Sequence, residues 1–222
     1  MTRLWFWISV GFPVYVYIGY PMLLWVLQAV IRASPRKERI EPSVSLLIAA
    51  YNEASVIGDK VRNSLALDYP SDKLEIVVAS DGSKDATAEI VRSFAGTEGR
   101  GRVRLLDFEK NRGKTMVLNE AVPELRAEIV AFSDASSMLA ADSIRNLVQS
   151  FSDPQVGAAS GVYRLLKADQ SRIGSQESLY WKYETFLKVQ EAKLGAFTGA
   201  HGSLYAIRRA LYPFPSPDTI ND

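Results

Sequence analysis

The sequence predicts an α/β fold: a mostly parallel, Rossmann-like sheet flanked by helices and preceded by an N-terminal transmembrane helix. Three observations carry this. Short continuous apolar runs alternate with stretches of helical periodicity, the pattern of βαβ units. Several of those runs stop abruptly at a polar cluster containing an acid, at Tyr51-Asn52-Glu53, Ser80-Asp81-Gly82 and Ser133-Asp134. No charged residue occurs from Leu4 to Ile31.

That uncharged stretch sets the domain plan. As a helix it would extend roughly 42 Å, more than the roughly 30 Å hydrocarbon core of a bilayer. Trp5, Trp7, Tyr20 and Trp25 include candidates for an interfacial aromatic belt. Pro13 and Pro21 predict kinks of the kind a membrane helix tolerates when neighbours satisfy the freed carbonyls. The run is too long for a cleaved signal peptide, and no clear small-x-small site follows it. Residues 1–32 are therefore expected to be a retained anchor, 33–42 a basic, proline-containing linker and 43–222 the soluble domain. Arg3 precedes the anchor, whereas Arg32, Arg36, Lys37 and Arg39 follow it. Positive-inside bias then places the domain in the cytoplasm, at the cell (inner) membrane. The chain stops at Asp222 with no closing element, so the domain is expected to continue.

Composition narrows the chemistry. A length of 222 residues allows one ordinary domain plus an appendage. A net charge of +1 gives no electrostatic case for nucleic acid. The absence of cysteine excludes disulfides, thiolate metal sites and a cysteine nucleophile. With His201 the only histidine, a histidine-rich metal site is excluded too.

Within the domain, Val44–Ala50 reads as a strand buried on both faces, and 54–67 as a helix with Ile57, Val61 and Leu65 on one side. A second strand is expected over 74–79, followed by a helix through about Phe94. A third strand runs Val103–Phe108, and Asn111-Arg112-Gly113-Lys114 opens a helix to about Leu125. The strand Ile129–Phe132 follows. Right-handed crossovers bring all these carboxyl ends, with their polar clusters, to one rim, where open α/β sheets bind ligands.

That rim is the candidate site. Gly82 allows a tight turn and close backbone approach beside Asp81, and Ser83 or Asp85 is placed to cap the next helix. Arg112 and Lys114 supply cations suited to a diphosphate. Asp134 is placed to hold a divalent cation bridging that diphosphate. Taken singly, each cluster also reads as a turn or a cap. No glycine-rich dinucleotide fingerprint follows the first strand, and no phosphate loop ending in Gly-Lys-Ser/Thr occurs.

The ordered segments Ala49-Ala50-Tyr51-Asn52-Glu53, Ser80-Asp81-Gly82-Ser83-Lys84-Asp85, Asn111-Arg112-Gly113-Lys114 and Phe132-Ser133-Asp134-Ala135-Ser136 resemble the motifs of family-2 glycosyltransferases. More narrowly, they resemble the membrane-anchored, inverting enzymes related to cellulose, hyaluronan and poly-N-acetylglucosamine synthases. The resemblance spans residues 43–222. It implies a GT-A fold and a nucleotide diphosphate-sugar donor, a UDP-sugar foremost, used with Mg²⁺ or Mn²⁺. It implies that the segment Ala50, Tyr51 and Glu53, with Asp81, binds the nucleotide, to which the cations Arg112 and Lys114 add, and that Asp134 is the first acid of an Asp-x-Asp metal motif. The second acid of that motif falls on Ser136, a weaker ligand for a hard cation. A glycan or lipid-linked acceptor is implied, with the bilayer as a further partner.

The second half fits an acceptor side. Residues 156–163 read as a strand and 175–194 as a helix, whose Tyr180, Trp181 and Tyr183 read as packing residues. The loop 195–202 with Gly199, His201 and Gly202 looks like the family's glycine-rich acceptor motif; His201 reads there as a hydrogen-bonding loop residue and not as a metal ligand. The resemblance also implies a carboxylate base at the chain's end, for which Asp222 is the candidate. The alternatives are a sugar-phosphate nucleotidyltransferase, whose basic glycine-rich signature after the first strand is missing at Tyr51-Asn52-Glu53, and a non-catalytic nucleotide-binding membrane protein, which Ser136 and the abrupt end would suit.

Overall fold

The structure is a computed structural model that describes residues 2–31, 36–162, 172–195, 202–217 and 219. In chain order, α1 (Thr2–Val14), a π-helical turn (Tyr15–Gly19) and α2 (Tyr20–Val30) come first. Then β1 (Val44–Ala50), α3 (Ile57–Leu65), β2 (Leu74–Asp81), α4 (Thr87–Gly96) and β3 (Val103–Phe108) alternate. They are followed by α5 (Lys114–Ala121), β4 (Ile129–Asp134), α6 (Ser143–Val148), β5 (Ala158–Ser160), α7 (Arg172–Lys193) and β6 (Tyr205–Arg208). These elements pack as two units, Met1–Pro35 with Arg164–Gly199, and Arg36–Tyr163 with Ala200–Asp222.

The larger unit holds a sheet of order β3-β2-β1-β4-β6-β5. Strands β3, β2, β1 and β4 are parallel, as the alternation of strand and helix predicts, whereas β6 runs antiparallel to both β4 and β5. Successive strand residues face opposite layers, so each buried run serves two cores. Leu46, Ile48, Ile76 and Val78 pack against α3, α4 and α6 through Ile57, Val61, Val91, Phe94 and Ile144. Leu47, Val77, Val130 and Phe132 pack on the other face against Val117, Leu118 and Ala121 of α5. Register aligns Ala49 with Asp134 and Ala50 with Ser80, which puts the ends of β1, β2 and β4 on one line.

Element ends differ from the sequence reading where side chains intervene. Helix α3 starts at Ile57 because residues 54–56 form a turn: Val56 N–H donates to the Glu53 carbonyl, and Ala54 N–H to Asp85 Oδ2. Helix α5 tightens into a 3-10 turn at Val122–Glu124, where Pro123 lacks an N–H. Strand β4 continues through Ser133 and Asp134 instead of stopping at Phe132. The strand expected over 156–163 is limited to Ala158–Ser160, with Tyr163 outside the described residues.

The smaller unit contains α1, α2 and α7. Residues 3–30 form a helical run long and apolar enough, by length and composition, to cross a membrane. Its π-helical turn lies between Pro13 and Pro21, with Tyr20 N–H reaching back to the Tyr15 carbonyl. Pro21 has no N–H to offer the carbonyls four and five residues back, Tyr17 and Val16. The Tyr183 hydroxyl of α7 covers them, at 3.0 Å from the Val16 oxygen and 3.4 Å from that of Tyr17. Tyr20 donates to Glu191 Oε1 (2.5 Å) and Gln28 to the Gln190 carbonyl (3.2 Å), so the same pair of helices is joined at three levels. Tyr183→Phe should therefore lower the unfolding free energy in detergent by about 0.5–2 kcal/mol. The loss should shrink in a Pro21→Ala background, where a restored N–H serves those carbonyls; equal losses in both backgrounds would refute the assignment.

Candidate functional site

Beyond the ends of β1, β2 and β4 lies a cleft of about 380 Å³. Its walls include Ala50, Tyr51 and Glu53 from the end of β1, Asp81 from β2, and Asn111, Gly113 and Lys114 at the start of α5. Asp134, Ala135 and Ser136 close it from β4.

The sequence places these groups for local reasons. Asp81 is 3 % exposed, and both its oxygens are engaged: Oδ1 accepts from Arg112 N–H (3.0 Å) and Oδ2 from Gly113 N–H (2.8 Å). The Asn111 side-chain amide adds a bond to the Asp81 carbonyl (3.2 Å). This carboxylate thus binds the start of α5 to the end of β2 and keeps lone pairs for a ligand. Two glycines permit the approach. At Gly82 (φ +66°) a Cβ would meet Asn111 N at 2.5 Å, and Gly113 takes φ +90°, ψ 158°, a region open essentially to glycine alone.

The β1 side is stitched to the Asp-Gly-Ser turn. Asn52, in the left-handed region at φ +54°, accepts from Lys84 N–H (2.8 Å), and its own N–H reaches Ser83 Oγ (3.2 Å). Glu53 N–H donates to Thr87 Oγ1 (2.8 Å). Asp85 receives the N–H groups of Ala54 and Thr87 as well as the Thr87 hydroxyl, and that hydroxyl foremost holds its carboxyl below the usual carboxylate range. Tyr51 is left 45 % exposed at the mouth of the cleft.

Asp134 is half-buried, and its Oδ1 takes a bond of 2.7 Å from the Lys114 ammonium. Gly202 comes up to the other oxygen: a Cβ there would lie 3.0 Å from Asp134 Oδ2 and 3.5 Å from Lys114 Nζ. Ser136 is exposed at the cleft. The side chain of Arg112 turns elsewhere, to Glu120 and across the Phe108 ring, so only its backbone N–H serves the site. Gly199, His201 and Asp222 lie outside the described residues. The chain leading toward Asp222 follows α5: Tyr212 donates to Asn119, Asn119 to the Pro215 carbonyl, and Thr115, the neighbour of Lys114, to the Thr219 carbonyl.

One site residue escaped the sequence reading. Lys60 of α3 is fully buried, and its ammonium donates to Ser133 Oγ (2.7 Å) and to the Ser137 carbonyl, either side of Asp134. Ser133 Oγ in turn donates to the Ser203 carbonyl (2.7 Å), next to Gly202. The available signal was spacing: Lys60 follows Ile57 by three residues and so shares the apolar face of its helix. Burial pushes its pKa from 10.5 down to about 8, against the pull of Asp134.

The lowered pKa of Lys60 makes stability depend on pH. Below pH 8 both states carry the proton, and the native state bears the cost of burying it. Between about pH 8 and 10.5 only the unfolded state remains charged, so stability rises with pH. The shift corresponds to roughly 3 kcal/mol. Burial holds the Tyr69, Tyr205 and Tyr212 hydroxyls above their usual range, which opposes the rise only above about pH 10. Chemical unfolding from pH 7.5 to 10 should show this gain, and Lys60→Met should flatten it; the same slope in both proteins would count against a native lysine of lowered pKa.

A mostly parallel sheet covered by helices on both faces, with a cleft at its carboxyl rim walled by acids at the ends of β2 and β4, defines an α/β protein of the class in which ligands bind beyond the strand ends. The chain belongs to the family described as "Glycosyltransferase like family 2", which matches residues 42–215. Poly-beta-1,6-N-acetyl-D-glucosamine synthase of Staphylococcus epidermidis is 32% identical over 143 residues, covering 64% of this chain and 32% of that protein. Beta-monoglucosyldiacylglycerol synthase of Trichormus variabilis is 28% identical over 185 residues, covering 81% of this chain and 40% of that protein. The mannosyltransferase PcManGT from Pyrobaculum calidifontis, solved in complex with GDP-Man and Mn²⁺, aligns with a TM-score of 0.73 at 32% identity, covering 89% of this chain and 55% of that one. The fold is therefore of GT-A type, and the nucleotidyltransferase alternative is set aside. The chain spans about a third to two fifths of the length of these curated relatives.

Proposed function

We propose that this chain forms the donor-binding part of an inverting glycosyltransferase at the cytoplasmic face of the cell membrane. The enzyme would move a sugar from a nucleotide diphosphate-sugar to a glycan or lipid-linked acceptor. The observation that carries the reading is the convergence in one cleft of Asp134, Lys114 and the loop held by Asp81. Family membership supports the reaction class. The relatives' names, one a polysaccharide synthase and one a glycolipid synthase, support the two acceptor classes. The GDP-Man and Mn²⁺ in PcManGT support a nucleotide-sugar donor and a divalent cation, with a UDP-sugar and a GDP-sugar both to be tried here. The apolar run 3–30 and the basic residues after it support the anchor and its orientation.

The roles proposed for the residues rest on where they lie. Ala50, Tyr51 and Glu53 form the nucleotide side, Tyr51 with an exposed ring. Asp81 aims the start of α5, and Lys114 offers a cation to the diphosphate. Arg112 contributes its backbone, and Gly202 gives the acceptor side a bare surface against Asp134.

The described residues contain no cluster of three or more acid, histidine or cysteine ligands. Asp134, with the Ser136 hydroxyl nearby, fits a hard cation that takes one carboxylate from the protein and its other ligands from substrate phosphate and water, as Mg²⁺ commonly does. Mg²⁺ or Mn²⁺ bound there would offset the charge gathering on the leaving diphosphate. The base takes the acceptor hydroxyl's proton as that oxygen bonds to the anomeric carbon and the bond to the diphosphate breaks on the opposite face. Asp222 is proposed for it, supported by the bond from Thr115, the residue after Lys114, to the Thr219 carbonyl.

The test is a thermal-shift titration with UDP- and GDP-sugars, with and without Mn²⁺. One nucleotide should raise the melting temperature, and Mn²⁺ should add to that rise. Asp134→Ala should keep the nucleotide shift and lose the Mn²⁺ increment, whereas Ser136→Asp should enlarge it. No shift with any nucleotide would refute the donor site; an Mn²⁺ increment that survives Asp134→Ala would refute the cation's place.

A further inference from the structure

The cleft holds a conflict of charge. Among its described lining residues, Glu53, Asp81 and Asp134 bear carboxylates, and Lys114 alone bears a cation. Arg112, the nearest other cation in sequence, is occupied by Glu120 and Phe108. Yet Lys114 is already committed to Asp134 at 2.7 Å, with Gly202 closing over the other carboxylate oxygen. One ammonium is thus sought by two anions, the Asp134 carboxylate and an incoming diphosphate. Asp134 in turn is sought by two cations, Lys114 and a divalent ion, which repel each other at the same oxygen.

We propose that Lys114 is an exchangeable counter-ion that makes donor and metal bind in a coupled order. Without ligand it neutralises Asp134 and holds off the divalent cation. When a nucleotide diphosphate enters, the ammonium transfers to the phosphates and Asp134 is released to the metal. The backbone suits such an exchange. The base of Lys114 is fixed because Asp81 grips Gly113 N–H, while its ammonium, 38 % exposed as a side chain, is carried on a four-carbon stem of rotatable bonds. The half-exposed pair is weak enough to break for a better partner, since pairs of this kind are worth at most about 1 kcal/mol. The coupling is reciprocal: whatever factor the nucleotide adds to metal affinity, the metal adds to nucleotide affinity. This mechanism rests on the donor site proposed above and adds to it the reason for the order.

Calorimetry on the full chain, with Mn²⁺ alone, with UDP or GDP alone and with both, tests it. In the wild type, Mn²⁺ alone should bind weakly and the nucleotide should strengthen it. Lys114→Met, which keeps the stem and removes the charge, should act in opposite directions on the two ligands. Mn²⁺ affinity without nucleotide should rise about three- to ten-fold, and nucleotide affinity without metal should fall about ten-fold. Lys114→Arg should stay close to the wild type in both, and unchanged melting temperatures would exclude a folding defect. Mn²⁺ affinity of nucleotide-free Lys114→Met at or below the wild type, beside normal nucleotide coupling in the wild type, would overturn the exchange and leave the donor site standing. A rise in Mn²⁺ affinity with nucleotide affinity unchanged would make Lys114 a static counter-ion and also overturn it. A wild type that binds no nucleotide at all would remove the donor site itself, and the exchange with it.

Discussion

The cleft depends on a buried carboxylate that contacts the backbone rather than another side chain. Asp81 ends a strand inside the sheet, and its two oxygens hold consecutive N–H groups from the loop before α5. Those amides would otherwise turn to solvent, and the loop could settle in many ways. With the carboxylate in place, Gly113 is held in a conformation few residues adopt, and α5 begins where Lys114 faces Asp134. A charged acceptor of two backbone N–H groups makes stronger bonds than neutral pairs do. The loop thereby acquires the rigidity of the strand that grips it. Lys60 does the corresponding work beneath β4, joining Ser133 and Ser137 around Asp134 and, through Ser133, the turn at Ser203. The two acids at the cleft are therefore set by different means, one gripping a loop and one held from below.

Much of this was legible in the sequence, and the reasons are physical. Continuous apolar runs at β1, β2 and β4 can be satisfied only by burial on both faces, and that fixes a parallel sheet with its polar ends together. The alternation of helices and the acids at strand ends then place the site. What was not legible turns on side-chain direction. Nothing in Asn111-Arg112-Gly113-Lys114 says that the arginine turns to Glu120 while the lysine enters the cleft, because both are long, flexible and cationic. Lys60 was missed because lysine is seldom buried, so its helical position on the apolar face was outweighed by its type. The reversal of β6 was hidden as well. Tyr205–Arg208 is too short for a pattern to show direction, which is set by its pairing with β4 and β5.

The arrangement of charge also separates the roles of the cleft's two edges. At the β1–β2 edge the acids are held by uncharged donors: backbone and hydroxyl groups surround Asp85, and backbone amides engage Asp81. At the β4 edge Asp134 instead bonds the ammonium of another side chain, Lys114. On the exchange proposed above, a ligand along the first edge would meet a surface already made, whereas one that reaches Asp134 would have to rearrange charge.

The π-helical turn in the apolar run has a consequence for how the protein can be handled. Removing an apolar N-terminal helix is a usual route to a more soluble version of a protein. Here that cut would take from α7 the carbonyls that Tyr183 covers, the hydroxyl that Glu191 accepts from and the amide that reaches Gln190. Helix α7 would be released as a long element stripped of its polar joints and of the apolar surface that seats it. The first thirty-odd residues act as half of a helix pair, and preparations meant to keep α7 in its packed form should retain them.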